Sequence, residues 1–292
     1  SIVATLYHSD PYINEFHERA SASAKRMVGD DYEIVLVNDG SPDYSLDLAI
    51  RLTEQDSHVV VIDLSRNFGH HKAMMTALAH AKGELVFLID SDLEEEPEWL
   101  LAFAQQMKQE RCDVVYGVQE RRKGNWFERW SGQWFYRFFK ALTGLTLPEN
   151  VVTTRLMVRR YVDALLCHQE REVFMAGLWH ITGFDQRPQV IKKHHTSETT
   201  YTFRRKMSLL VNSVTSFSNA PLVSIFYIGA AISLFALAYI AYLVTHWLFL
   251  AKPMSGWTSV MASIWLIGGM VISFIGVVGI YLSKIFSETK QR

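Results

Sequence analysis

The stretch Leu85-Val-Phe-Leu-Ile-Asp-Ser-Asp92 decides the fold class. Five apolar residues run without a break and stop at two carboxylates. An unalternating apolar run of this length suits a parallel strand covered on both faces. Four further runs of the same kind lie at 2–6, 33–37, 59–64 and 113–118. Helix-like stretches separate them, at about 11–28, 44–55, 71–82 and 97–110. Pro97 suits a first helical turn, with Glu94, Glu95 and Glu96 at the positive end of the helix dipole. Strands alternating with helices predict an α/β fold with a doubly wound, mostly parallel sheet.

Ligands of such sheets bind outside the carboxyl ends of the strands. Three of the expected strand ends carry polar clusters: Asn38 to Asp43, Ser65 to Gly69, and Asp90-Ser91-Asp92. Side chains at i and i+2 of an extended segment point the same way. Asp90 and Asp92 are therefore expected to share one site, with Ser91 pointing away. Two hard oxygen ligands suit Mg²⁺ or Mn²⁺, with substrate phosphates and waters completing the shell. Asp39 would lie on the same sheet edge, where a carboxylate can accept from a base N–H or a ribose hydroxyl. The bland alternative for residues 38–41 is a turn with a helix cap.

The order Val37-Asn-Asp-Gly-Ser-Pro-Asp43, Leu64-Ser-Arg-Asn-Phe-Gly69 and Ile89-Asp-Ser-Asp-Leu93 resembles the family-two glycosyltransferases of GT-A fold. Arg122-Lys-Gly124, Arg155-Leu-Met157, Ser197-Glu-Thr-Thr-Tyr201 and Ser216-Phe-Ser218 narrow the resemblance to the polyisoprenyl-phosphate glycosyltransferases. Bactoprenol glucosyltransferases and dolichol-phosphate-mannose synthases belong to that group. The resemblance implies a nucleotide-sugar donor, with uridine as the first guess, and a polyisoprenyl phosphate acceptor such as undecaprenyl phosphate. It implies Asp90 and Asp92 as catalytic metal and diphosphate ligands. It implies Thr5, Tyr7, Asp39, Arg66, Asp90 and Ser91 around the donor. Arg155 and Thr153 fall at catalytic positions, and Arg122, Lys123, Arg204, Arg205 and Lys206 are candidates for the lipid phosphate. Arg suits phosphate through its bidentate fork.

The chain departs from the family pattern in two places. Thr5-Leu-Tyr-His-Ser-Asp10 replaces an opening Pro-x-Tyr-Asn-Glu segment, and Thr153 stands where an acid commonly precedes Arg-Leu-Met. A lipid phosphate softens the second departure. Its second pKa lies near 6, so it is already a nucleophile at pH 7. A single in-line displacement with inversion is expected.

Composition shifts sharply after Lys206. No Asp, Glu, Lys or Arg follows until Lys252, and none again until Lys284. Two apolar blocks, about 222–250 and 257–283, each exceed the roughly 20 residues that span a bilayer. They predict a two-helix C-terminal transmembrane hairpin and a short tail, after a catalytic domain over 1–202 and a juxtamembrane amphipathic segment over 203–221. Basic residues flank both outer ends, which places the termini and the catalytic domain on the cytoplasmic face of an inner membrane. Aromatic and basic residues alternate at helical spacing over about 125–143, from Trp126 to Lys140, and predict a helix in the membrane interface. The small membrane domain suggests a homo-oligomer.

Other classes are less well served. A net charge of −1 predicts no bulk affinity for nucleic acid. Two cysteines, Cys112 and Cys167, make neither a disulfide framework nor a metal knuckle. The pairs His70-His71 and His194-His195 read as surface or helix-start residues rather than zinc ligands. A processive polysaccharide synthase would need more spans and a Gln-x-x-Arg-Trp segment. A membrane scaffold with a degenerate nucleotide-sugar domain is the non-enzyme alternative, motivated by His8 and Thr153.

Overall fold

The computed structural model describes residues 1–119, 150–168, 175–192, 220–249 and 256–290. The chain divides into two compact units, one holding the sheet and its helices, the other the two C-terminal helices.

The sheet unit begins β1 (Ile2–Leu6), α1 (Ile13–Val28), β2 (Ile34–Asn38), α2 (Ser45–Gln55), β3 (Val59–Asp63), α3 (His70–His80) and β4 (Leu85–Leu88). It continues α4 (Trp99–Glu110), β5 (Val114–Gln119), β6 (Val151–Val158), α5 (Arg159–Leu166), α6 (Met175–Ile181) and β7 (Gln186–Ile191). Seven strands form one sheet in the order β3-β2-β1-β4-β6-β5-β7. The first four are parallel; β6 runs antiparallel to both β4 and β5, and β7 is parallel to β5. The five apolar runs are all strands, and the sheet is mixed rather than simply doubly wound. The antiparallel strand β6 enters between β4 and β5, a placement that no local pattern announces.

Alternation along β1 explains the two layers. Ile2, Ala4 and Leu6 join Ile13, Phe16 and Ala20 of α1 in one buried cluster, with Phe87 and Phe103 meeting edge to face at 5.9 Å. Val3 is equally buried but points to the other face. There Ala73, Met74 and Ala77 of α3 and Tyr161, Val162 and Leu165 of α5 are buried. At about 25 cal/mol per Å² of apolar surface, these two layers supply the main drive to fold.

The chain leaves β3 and crosses to the far side of β1, where β4 pairs. That reversal makes the carboxyl ends of β1 and β4 a topological switch point, the usual place for a ligand crevice. The start of α4 corrects one expectation. Pro97 lies ahead of the helix, in a tight turn where its carbonyl accepts the Leu100 N–H at 3.2 Å, and Glu95 is fully buried.

The second unit contains α7 (Ala220–Phe249, 30 residues) and α8 (Trp257–Lys290, 34 residues). Side chains along both are described only in interrupted runs. Among the described residues no helix is long and apolar enough to cross a membrane. The transmembrane hairpin expected from the sequence is therefore not shown by the described residues. Over its full length α7 has no Asp, Glu, Lys or Arg, and α8 has none before Lys284.

Candidate active site

Three loops meet at the carboxyl ends of β1, β2 and β4, and backbone geometry locks them together. The Asp39 N–H donates to the Leu6 carbonyl at 3.1 Å. The His8 N–H reaches Ser41 Oγ at 2.8 Å and the Ser9 N–H reaches Ser45 Oγ at 3.0 Å. His8 adopts a left-handed φ of 54° to do so, a conformation non-glycine residues seldom take. Asp43 accepts from the Ser41 hydroxyl and from the backbone of Asp10 and Ser45. Burial works against its charge, yet the donors from Ser41 and Ser45 hold it well below the usual carboxylate range. Asp43 is thus a fastener at the start of α2.

Asp39 is 3% exposed and acts across the chain. Its Oδ1 accepts the Phe68 N–H at 2.7 Å and its Oδ2 accepts the Gly69 N–H at 3.0 Å. Gly40 completes the joint. Its φ is +60°, and a Cβ there would stand 2.5 Å from the Asn67 nitrogen. Arg66 in that loop rests its guanidinium over Phe68, 4.4 Å from the ring centroid.

Asp90 and Asp92 follow the last residue of β4. The Asp90 side chain is 20% exposed. Asp92 Oδ1 accepts the Glu94 N–H at 3.0 Å. Ser91 between them is buried and donates its hydroxyl to the Thr5 carbonyl at 2.8 Å, beside Ser9 Oγ at 3.0 Å. Ser91 therefore braces the wall, and its hydroxyl is committed to β1 rather than to a donor. Thr5 is nearly buried, while Tyr7 is half exposed and meets the His8 ring edge to face at 4.6 Å.

The residue that sequence reasoning placed at a helix start, and no further, is His70. It does open α3, but its Nδ1 lies 3.0 Å from Thr5 Oγ1 and its Nε2 lies 3.4 Å from Asp90 Oδ1. Although 48% of the side chain stays accessible, burial lowers the imidazole pKa, against the pull of Asp39 and Asp92. Its position directly after Ser65 to Gly69 was the available signal.

Thr153 and Arg155 lie on β6, where Arg155 pairs with Leu88 of β4 and Tyr116 of β5. Thr153 is partly exposed. Arg155 is 1% exposed, lies over the Trp179 ring and donates from Nε to the Thr153 carbonyl at 3.3 Å. Burial pushes its guanidinium down to about 9, offset in part by Tyr161 and Glu95, so it stays charged at neutral pH. On the other face of β6, Thr154 donates to Glu95. Neither Glu95, Tyr161 nor Trp179 was singled out from the sequence as a partner of this strand. Arg122, Lys123, Arg204, Arg205, Lys206, the helix expected over 125–143, nearly all of 203–221 and His194-His195 lie outside the described residues.

Among the described residues no group of three or more His, Cys, Asp and Glu side chains could hold a metal unaided. Asp90 and Asp92 offer two carboxylates at one strand end. That donor set fits Mg²⁺ or Mn²⁺ held jointly with phosphate oxygens and water, and does not fit a closed protein cage.

The Glycosyl transferase family 2 model matches residues 1–166, which hold β1 to β6, Asp39, Asp90 and Asp92. The chain belongs to glycosyl transferase family 2. A Mycobacterium tuberculosis (strain CDC 1551 / Oshkosh) protein named among the glycosyltransferases is 52% identical over 292 residues, covering 100% of this chain and 85% of that protein. The uncharacterized glycosyltransferase YkcC of Bacillus subtilis (strain 168) is 32% identical over 295 residues, covering 100% of this chain and 91% of its own. Among solved structures, the mannosyltransferase PcManGT of Pyrobaculum calidifontis, in complex with GDP-Man and Mn²⁺, is similar at TM-score 0.47 and 16% identity, over 96% of this chain and 86% of that one. The family-2 domain makes this chain a glycosyltransferase, with a mixed α/β sheet of GT-A type.

Proposed function

We propose that this family-2 enzyme transfers a sugar from a nucleotide donor, a UDP-sugar first, to a polyisoprenyl phosphate such as undecaprenyl phosphate, at the cytoplasmic face of an inner membrane. The observation that carries the reading is the union, in one chain, of a two-carboxylate strand end and two long helices almost free of charge. Described apolar side chains on those helices stand open, among them Leu234 at 72%, Phe235 at 75% and Ile272 at 72% exposure. Hydrocarbon covers such a surface at no polar cost. Exposed apolar surface of this extent marks a membrane or protein contact.

On this reading Thr5, Tyr7, Asp39 and Arg66 border the nucleotide, with Asp39 acting by fixing the Phe68–Gly69 backbone. Asp90 and Asp92 would hold Mg²⁺ or Mn²⁺ at the donor diphosphate. When bound, the ion neutralises charge on the leaving diphosphate. An oxygen of the lipid phosphate forms a bond to the anomeric carbon as the bond from that carbon to the diphosphate breaks. The electron pair leaves with the diphosphate, and the configuration inverts. The acceptor is mostly dianionic at pH 7, so no protein base is needed. Thr153, which cannot serve as one, is compatible with that. Arg122, Lys123 and the basic run Arg204 to Lys206 are assigned to the lipid phosphate and the membrane surface, and two short-looped spans favour a homo-oligomer.

The test is direct. Full-length protein in detergent receives undecaprenyl phosphate, labelled nucleotide sugars and Mg²⁺ or Mn²⁺. Label entering the lipid fraction from one donor, and lost in Asp92→Asn, is expected. Nucleotide binding without transfer from any donor would instead support a scaffold.

A further inference from the structure

We propose that His70 is a positioning residue that sets the pose of the Asp90 carboxylate for a divalent cation, with Thr5 fixing the imidazole from the opposite side. The inference rests on the reading that Asp90 and Asp92 receive such a cation with the donor diphosphate.

Three elements converge on the ring. His70 is the first residue of α3, Thr5 lies one residue before the end of β1, and Asp90 follows β4 by two residues. Strands β1 and β4 are neighbours, so the ring bridges the seam where the crevice opens. Its two nitrogens are differently placed: Nδ1 is within hydrogen-bond distance of the Thr5 hydroxyl at 3.0 Å, and Nε2 stands 3.4 Å from Asp90 Oδ1, a charge contact rather than a hydrogen bond. A neutral imidazole can accept at one nitrogen and donate at the other. A hydroxyl that donates to Nδ1 leaves the proton on Nε2, facing the carboxylate. Lysine could not do this, having no acceptor for Thr5.

The backbone that presents His70 is itself fixed. Asp39 holds the Phe68 and Gly69 N–H groups, and the Gly69 carbonyl accepts from Lys72 and Ala73 in the first turn of α3. His70 is not read as a ligand, because no three-ligand group exists among the described residues. It orients a ligand, as partners behind metal-binding carboxylates commonly do. Loss of such a partner typically costs roughly 10- to 100-fold in metal affinity or activity.

Mn²⁺ binding to the full-length protein, followed by electron paramagnetic resonance with and without UDP, tests this alongside a thermal melt. His70→Ala is expected to weaken Mn²⁺ binding by about tenfold or more. Thr5→Val should weaken it too, and the double variant should bind no worse than His70→Ala, since both act through one contact. His70→Gln, which keeps a donor toward Asp90, should recover part of the loss. Unchanged or tighter Mn²⁺ binding in a His70→Ala protein that melts like wild type overturns the proposal, as do additive losses in the double variant. If His70→Ala does not fold, unchanged binding in Thr5→Val overturns it equally. A wild type that binds no Mn²⁺, even with UDP, instead removes the metal reading and this inference with it.

Discussion

Asp39 and Gly69 stand thirty positions apart, yet the carboxylate of one accepts the backbone N–H of the other at 3.0 Å. With the second bond to Phe68, one side chain at the end of β2 fixes the loop that leads from β3 into α3. Asp39→Asn keeps the shape but turns one acceptor oxygen into a donor. Either orientation of the amide then leaves a part-buried backbone N–H without its acceptor. The expected loss is about 1–3 kcal/mol. A denaturant melt should show it, and donor KM should rise more than acceptor KM, because Arg66 and His70 both hang from this loop.

Gly40 carries the same joint from the other side. An added methyl would lie 2.5 Å from the Asn67 nitrogen and 2.6 Å from the Arg66 carbonyl carbon, both backbone atoms that cannot yield. Gly40→Ala should therefore lower the melting temperature and donor affinity together. Gly29→Ala is the control. Its φ of +68° is similar, but nothing lies within 4 Å of the new carbon. It should show only the strain of a positive φ, on the order of 1–3 kcal/mol, with donor affinity intact.

How much of this was readable in advance depends on where the cause lies. Strands β1, β2 and β4 were legible because two-sided burial writes continuous apolar runs into the sequence; β5 and the edge strand β3 carry the same apolar, β-branched runs although they are only partly covered. Strand β7 was not legible. Gln186–Ile191 is a polar edge strand with Pro188 inside it and has no apolar run to find. Strand β6 includes Arg155 to Met157, which carried part of the resemblance, and Thr153, which departs from it, but its pairing partners β4 and β5 are set by the whole topology. Asp90 and Asp92 were legible as two carboxylates at a strand end; the same spacing turned Ser91 away while the resemblance placed it at the donor, and its hydroxyl in fact reaches the Thr5 carbonyl. The partnership of His70 with Thr5 and Asp90 spans 65 and 20 positions, and no local spacing encodes it. Asp39 lay between these cases: its place at the edge was visible, but its grip on the next loop was not.

Acid sensitivity should be set partly by Asp56. It accepts from the backbone and ring of His58 at 3.0 and 2.6 Å and from the His17 ring at 2.9 Å. Burial disfavours the charge, but these donors outweigh it and bring the carboxyl down from 3.8 to about 2. A depressed folded pKa contributes stability that is full above the unfolded value and is lost as pH falls toward the folded one. The window thus runs from about pH 4 down to about pH 2. At 17% side-chain exposure the pair is only partly screened, and a contribution on the order of 2 kcal/mol follows. Asp56→Asn should lower stability at pH 7 by a comparable amount and flatten the acid limb of a stability–pH curve. An acid limb identical to wild type would show that Asp56 contributes nothing.

Arg155 offers the sharpest separation of a structural role from a catalytic one. At 1% exposure it lies over Trp179 and reaches the Thr153 carbonyl, with Glu95, Tyr116 and Tyr161 supplying compensating interactions. A guanidinium so enclosed cannot meet a substrate without the site reopening around it. Removing its charge leaves those partners facing a neutral amide in a low-dielectric interior. Arg155→Gln should therefore cost about 3 kcal/mol of stability, seen as an earlier urea midpoint with the same slope. Arg155→Lys retains the charge but loses the planar stack, and should fall between the two. Assayed well below both transitions, donor KM should stay near wild type. A variant that melts like wild type but has lost turnover would reverse the assignment and place Arg155 against the reacting groups, as its position just after Thr153 on β6 first suggested.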